Sequence, residues 1–212
     1  MALTNPLMSL FLVLSLVLPT LAFNNILLHN NCPYPLYFWP VTHSSTPDNI
    51  PLTPIPPGLT HPHAMLTVPE GGISLKIRDQ PFITPAPAGI LQFEYHLEAP
   101  RFFYDFSRID CDANVGRQDP GYCPIVGEGV KVVAGEGRCE GAECVGAECE
   151  GAYLRRGSWP GEPSFSCGWG EDVWVGFCVR GEGGGGGGRG GGGGEQEVVV
   201  EVVEEVEVGG SC

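Results

Sequence analysis

Basic side chains are scarce in this sequence, which has 11 Lys and Arg residues against 25 Asp and Glu residues. The resulting net charge of −14 at pH 7 repels nucleic acids and anionic membranes. Neutral polymers, cationic surfaces and other proteins therefore remain as partners.

Several catalytic and cofactor-binding motifs are also missing. The chain has no Gly-x-Ser-x-Gly nucleophile elbow, and its polyglycine run lacks the Gly-Lys-Ser/Thr ending of a phosphate-binding loop. No window shows a hydrophobic period of 3.6 residues, so amphipathic helices are not predicted. We therefore expect neither a nucleotide nor an organic cofactor.

The first 22 residues contain no charged side chain. Residues 7–18 are almost continuously apolar, a length that suits a signal peptide and is too short for a membrane span. Small residues before Phe23 predict cleavage after Ala22, and no later stretch is apolar enough to cross a bilayer. The mature protein is therefore predicted to be secreted, to the extracellular space or the cell wall.

Secretion predicts that the nine cysteines form mainly disulfides, because oxidising compartments convert paired thiols into disulfides. Eight of them precede residue 179 and predict four bridges, in any of 105 pairings. Cys212 is left over and could form an intermolecular disulfide. No histidine lies near the evenly spaced Cys139, Cys144 and Cys149, which argues against zinc. His61-Pro62-His63 could bind a metal, but a solvated Pro-rich loop is the favoured interpretation.

Composition divides the mature chain into a folded domain, residues 23–179, and a low-complexity tail, residues 180–212. The tail is a Gly run followed by a Glu/Val-rich stretch. Polyglycine cannot bury enough apolar surface to offset its ordering entropy, so a disordered acidic tail is predicted. An alternative is that the valines pair with a partner.

The domain shows the two-residue hydrophobic period of β-strands. In residues 73–78 three apolar residues alternate with Ser74, Lys76 and Arg78, which predicts a strand with one buried face. Further strands are predicted within 34–41, 129–134 and 172–179. The fold class is therefore an all-β sandwich.

Residues 90–97 and 101–108 predict a hairpin centred between Ala99 and Pro100. In this register one face carries only apolar and aromatic pairs: Leu97 with Phe102, Tyr95 with Tyr104, and Phe93 with Phe106. The other face pairs Gln92 with Ser107, Glu94 with Asp105, and His96 with Phe103.

The Glu94–Asp105 pair is the strongest functional feature of the pattern. Carboxylates directly opposite each other destabilise a sheet unless a cation, a shared proton or a hydroxyl-bearing ligand compensates. Asp110, expected just past the end of the strand, could join them. The alternative is a solvated acidic surface with Lys76, Arg78 or Arg108 as counterions.

Four segments carry a family resemblance: NNCPYPLYFWPV, the hairpin FEYHL…FFYDFSRID, CEGAYL, and SFSCGWGEDVWVGFC. In this order, over about residues 24–178, they resemble thaumatin-like proteins, especially the short secreted fungal forms known as antigenic thaumatin-like proteins. The resemblance implies a β-sandwich with disulfide-bonded loops. Its implied pairs are Cys32–Cys178, Cys111–Cys123, Cys139–Cys167 and Cys144–Cys149.

The resemblance also implies an acidic cleft associated with β-1,3-glucan binding. The matching acids are Glu94, Asp105 and Asp110, and the cation is Lys76 or Arg78. A last acid is expected after CEGAY, where Arg155, Arg156 and Trp159 stand instead. The central Cys-rich loop region of the family is largely absent, so one wall of the cleft is expected to be missing.

Three functions follow as hypotheses. The favoured one is a secreted, cell-wall-associated protein that binds β-glucan through the acidic face, with Trp159 or Trp169 stacking on sugar rings. The second is a secreted antigen or effector that binds an extracellular protein. The third is a weak endo-β-1,3-glucanase, for which the altered cleft gives little support. No metal is expected in any of them.

Overall fold

The computed structural model describes residues 24–45, 50–82, 89–112, 115–116, 119, 121–145, 148–156 and 160–179. Within these ranges the chain is almost entirely β, and the bounds of the strands are as follows: β1 Asn25–Asn30, β2 Leu36–Val41, β3 Thr53–Ile55, β4 Thr60–Ala64, β5 Ile73–Arg78, β6 Ile90–Glu98, β7 Arg101–Asp110, β8 Val130–Ala134, β9 Cys139–Val145, β10 Glu148–Glu150, β11 Ser164–Gly168 and β12 Val173–Phe177. A four-residue helix, α1, covers Pro124–Gly127.

Two six-stranded sheets enclose one hydrophobic core. Sheet I has the order β10-β9-β8-β12-β1-β4, and sheet II has the order β11-β7-β6-β5-β2-β3. Both sheets contribute to the same buried cluster, with Leu28 and Val175 from sheet I and Leu75 and Phe93 from sheet II. The predicted all-β, two-sheet fold class is confirmed.

Side-chain alternation explains which face of each strand is buried. In β5, Ile73, Leu75 and Ile77 are fully or almost fully buried, while Ser74 and Lys76 lie on the outer face. Burying an aliphatic or aromatic side chain stabilises the fold by about 1.5 to 3 kcal/mol. This alternation therefore determines which residues are left for function on the outer face of sheet II.

The β6–β7 hairpin has the predicted register. Phe93 lies opposite Phe106, and Glu94 lies opposite Asp105. The aromatic residues of the inner face are at most 3% exposed, as expected for the core side of the sheet. Strand β7 extends further than expected, so Asp110 is its last residue and does not lie beyond it.

Four disulfides connect the elements, and their pairs are those implied by the family resemblance: Cys32–Cys178, Cys111–Cys123, Cys139–Cys167 and Cys144–Cys149. The first holds together the ends of β1 and β12, which pair in parallel. The third links sheet I to sheet II. The evenly spaced cysteines thus belong to two bridges and not to one metal site.

The structure corrects the loop interpretation of His61-Pro62-His63, because these residues form most of β4. Strand β4 lies at an edge of sheet I, where the missing N–H of a proline removes no ladder hydrogen bond. The hairpin formed by β9 and β10 was not predicted either. Its sequence is rich in Glu, Gly and Cys and lacks the apolar alternation of an ordinary strand.

The predicted signal peptide, the predicted disordered tail and Cys212 lie outside the described residues, so these interpretations stay predictions. Within the described ranges, no helix has the length and apolarity needed to cross a membrane.

Candidate functional site

A polar row crosses the outer face of sheet II. The strand registers place Ser74 next to Glu94, Glu94 next to Asp105, and Asp105 next to Ser164. The row therefore spans β5, β6, β7 and β11, and two carboxyl groups occupy its centre. Because these positions alternate with core residues, the same pattern that fills the core brings the acids together on the outside.

The row forms the floor of an open cleft of about 320 Å³. His96 and Phe103, the next outward-facing pair of the hairpin, line the same cleft, and Phe103 is 41% exposed. The imidazole of His96 is held by a 2.7 Å hydrogen bond between Nδ1 and the backbone oxygen of Gly71. The cleft thus combines acidic and hydroxyl groups with an exposed aromatic ring.

Asp105 is the most perturbed acid of the cleft. Burial is the main cause that raises its pKa to about 8, and the charge and hydrogen bond of Glu94 and the charge of Glu162 raise it further. The raised pKa favours the protonated form of Asp105 at neutral pH, and a protonated Asp105 can donate a hydrogen bond to Glu94. A shared proton was one of the three compensations expected for this pair.

Of the two predicted cations, Lys76 lies near the acids. Its ammonium group donates a hydrogen bond to Oε1 of Gln92, whose Nε2 in turn lies 3.5 Å from Oδ2 of Asp110. Burial lowers the pKa of Lys76, while Glu94 and Asp110 act in the opposite direction. Asp110 and Lys76 thus lie close to the Glu94–Asp105 pair through Gln92, but they are not among the residues that line the cleft.

Arg78 has different partners. Its guanidinium donates a 2.6 Å hydrogen bond to the backbone oxygen of Phe82 and lies 5.0 Å from the centre of the Phe82 ring. Burial lowers the pKa of Arg78, and the nearby charge of Asp79 opposes this effect. Lys76 therefore fits the role of the cation beside the acids better than Arg78 does.

A fourth acid, Glu162, was missed by sequence reasoning. It lies in the segment LRRGSWPGEP, where the expected acid had seemed to be replaced. Its charge raises the pKa of Asp105, and its hydrogen bond contributes to raising the pKa of Tyr153. The sequence feature that could have identified Glu162 is its position two residues before Ser164 of β11. Its closeness to Asp105 follows only once β11 is known to pair with β7.

Arg156 does not remove the acidic site but pairs with it. Its Nη2 lies 3.4 Å from Oδ1 of Asp110. The Arg156 side chain is 81% exposed, so the pair contributes little to stability. Trp159 lies outside the described residues, and Trp169 is exposed but does not line the cleft.

Metal binding finds no support in this part of the molecule. Among the described residues, no group of three or more His, Cys, Asp or Glu side chains could hold a metal ion. The hydroxyl of Tyr95 lies 3.0 Å from Nε2 of His63, and burial together with the charge of His61 lowers the pKa of His63 to about 4. His63 is therefore a neutral hydrogen-bonded residue.

The described residues form a disulfide-bonded all-β protein, with two sheets around one core and an acidic cleft on the outer face of sheet II. The chain belongs to the Bys1 family, described as Blastomyces yeast-phase-specific protein, whose model matches residues 13–178. This family, and not the thaumatin-like family of the sequence resemblance, is the one assigned. No curated protein sequence matches the chain.

The solved structures that match this chain include the following two. The protein elicitor MoHrip2 from Magnaporthe oryzae has 16% sequence identity and a TM-score of 0.52, over 74% of this chain and 99% of that one. The thaumatin-like xylanase inhibitor TLXI has 12% identity and a TM-score of 0.45, over 72% of this chain and 98% of that one. At these identities the likeness concerns the fold alone.

Proposed function

We propose that this protein is secreted and binds a neutral polysaccharide of the β-1,3-glucan type in the cleft around Glu94 and Asp105, without strong catalysis. The observation that carries the proposal is the opposed Glu94–Asp105 carboxyl pair, which lies in an open cleft beside an exposed aromatic ring. The secreted and wall-associated location is part of the proposal. Four disulfides support it, because such bonds persist in oxidising compartments.

The chemistry of the cleft favours a neutral ligand that carries hydroxyl groups. The raised pKa of Asp105 lowers the negative charge of the cleft, and the carboxyl oxygens can accept hydroxyl hydrogens. Ser74 and Ser164 can both donate and accept, and the ring of Phe103 can pack against a sugar face. The overall negative charge of the chain disfavours anionic polymers.

The same pair argues against efficient hydrolysis. Carboxyl groups that flank a scissile glycosidic bond are separated by about 5 to 5.5 Å in retaining enzymes and by more in inverting ones. Glu94 and Asp105 are direct neighbours across β6 and β7, and the charge and hydrogen bond of Glu94 contribute to the raised pKa of Asp105, so the two carboxyl groups interact with each other instead of flanking a scissile bond. Binding is therefore favoured over turnover.

The test is co-sedimentation of the oxidised full-length protein with insoluble β-1,3-glucan. We expect the parent to bind and the Glu94→Gln/Asp105→Asn double variant to lose most of this binding. Glu128→Gln/Glu136→Gln is the matched control, because it removes two acids that lie on exposed surface elsewhere and should bind like the parent.

Three outcomes would contradict the proposal in different ways. Lack of binding by the oxidised parent would favour the alternative of a secreted interaction protein. Equal losses in both double variants would indicate a general charge effect. Release of reducing sugar by the parent, abolished in the cleft variant, would favour the weak glucanase.

A further inference from the structure

The six-membered ring of the Trp174 indole lies over Gly176 on the outer face of sheet I, whereas the acidic cleft lies on sheet II. Trp174 is a partly exposed, outward-facing residue of β12, two residues before Gly176. A Cβ atom at position 176 would lie within 2.6 Å of three atoms of the six-membered indole ring, Cη2, Cζ3 and Cζ2. The ring therefore covers the backbone of Gly176, and any side chain there would displace it.

His29 supports one side of this ring. Its imidazole is stacked beside the indole, with ring centres 5.9 Å apart and planes at 30°. Both imidazole nitrogens have partners at 2.8 Å, Oγ1 of Thr60 on Nδ1 and Oδ1 of Asn31 on Nε2. Because both nitrogens are held, the orientation of His29 is set before any ligand arrives.

Lys131 and Glu143 lie on the side of the Trp174 ring away from His29. Lys131 is the register partner of Gly176, and Glu143 is the partner of Lys131. Their charged groups are 3.5 Å apart, and about half of each side chain is exposed. Both residues also line a shallow cleft of about 490 Å³, together with residues that include Gly141 and Phe165.

We infer that Trp174, His29, Lys131 and Glu143, here called the Trp174 platform, form a second binding site, for an uncharged pyranose polysaccharide. A flat, rigidly held aromatic ring flanked by hydrogen-bonding groups matches the apolar C–H face and equatorial hydroxyls of such a sugar. One Lys balances one Glu, so the platform carries no net charge to select an ion. The acidic chain disfavours anionic polymers as ligands.

The site goes beyond the proposed function because it lies on the other sheet and shares no residue with the acidic cleft. Two sites on different sheets would let one molecule contact two polysaccharide strands. The second contact would then be intramolecular and would raise the overall avidity for a polymer without a new contact at either site.

The test uses full-length protein carrying Glu94→Gln/Asp105→Asn, so that the acidic cleft does not contribute. Laminarihexaose and cellohexaose are titrated separately while the indole N–H resonances are followed by NMR. At least one hexasaccharide should shift the Trp174 resonance. Trp174→Ala in the same background should weaken its binding roughly tenfold, as for a central aromatic contact. Leu66→Ala, which removes a well-exposed apolar side chain elsewhere, should not.

The NMR titration does not depend on the Trp174→Ala variant, which could fail to fold. Unshifted Trp174 resonances with both hexasaccharides at millimolar concentration would overturn the inference. Unchanged affinity in folded Trp174→Ala would also overturn it, as would stronger binding of an oligogalacturonate. A Trp174 shift that follows protein concentration in the absence of sugar would instead identify the platform as a contact between copies of this chain. Loss of glucan binding at the cleft alone leaves this titration unaffected, so the two proposals can fail separately.

Discussion

Asp105 carries a proton at neutral pH because its surroundings disfavour a second negative charge. Burial removes water from the carboxyl group, and Glu94 and Glu162 add negative charge nearby. Oδ1 of Asp105 is buried and accepts no hydrogen bond from the described part of the chain. An ionised Asp105 would therefore be costly, which makes this residue a source of pH-dependent stability.

The free energy of unfolding should fall as the pH rises from about 4 to about 8. The pKa of Asp105 is raised from 3.8 to about 8 in the folded state, so between these values the folded chain binds a proton that the unfolded chain has released. The contribution is fully present below the lower pKa and is lost as pH approaches the upper one. The slope from this group approaches about 1.4 kcal/mol per pH unit.

Urea denaturation at a series of pH values tests this. Asp105→Asn should flatten the slope and should be more stable than the parent above pH 8. Glu136→Gln, at an exposed acid, is the control and should keep the slope of the parent. A parallel pH dependence in Asp105→Asn and the parent would show that Asp105 is not the residue responsible.

At the scale of elements, the acidic cleft depends on how closely β5 approaches β6. Gly72, just before β5, lines the cleft, and a Cβ at this position would lie 2.6 Å from the backbone oxygen of Tyr95. Tyr95 belongs to the hairpin strand that also carries Glu94. The position of the acids therefore relies on a contact between two backbones that a side chain would prevent.

Gly72→Ala should destabilise the protein by about 1 to 3 kcal/mol, because the rigid backbone of β6 must move to admit the methyl group. Gly116→Ala is the matched control: its Cβ would meet nothing within 4 Å, so the change should stay within about 0.5 kcal/mol. Both are measured by chemical denaturation. Equal stability of the two variants would mean that the chain at Gly72 can adjust freely.

Strand prediction succeeded where the evidence was local and failed where it was not. The β6–β7 register followed from apolar alternation on both sides of a short connection that contains Ala99 and Pro100. Strand β4 contains Pro62 between two histidines, and only its place at the edge of sheet I makes it a strand. Strand β9 is held by its neighbour β8 and by two disulfides, and its own sequence shows little alternation.

At the scale of the whole molecule, the disulfides contribute according to the length of chain that they close. Cys32–Cys178 spans 146 residues and joins the two ends of the domain, whereas Cys144–Cys149 spans five residues within one hairpin. Closing a longer loop removes more conformational entropy from the unfolded chain. The two bridges should therefore differ in their effect on global stability.

Cys32→Ser/Cys178→Ser should lower the free energy of unfolding by about 5 kcal/mol, and Cys144→Ser/Cys149→Ser by about 2 kcal/mol, in the chain-entropy model. Denaturant midpoints of the two double variants, with the parent as reference, measure the difference. A larger loss for the hairpin bridge would indicate that strain or native contacts outweigh loop entropy in this protein.

The sequence by itself determined the β class, the face that each alternating strand buries, and the opposition of Glu94 and Asp105. These features depend on the two-residue period of a strand and on neighbours close along the chain. Only the tertiary structure decided that Glu162 acts on Asp105, that Lys76 rather than Arg78 lies near the acids, and that the Trp174 ring covers Gly176. Those contacts depend on where the loops place distant side chains and on the space around each group. A hydrophobic period within one strand carries no information about either.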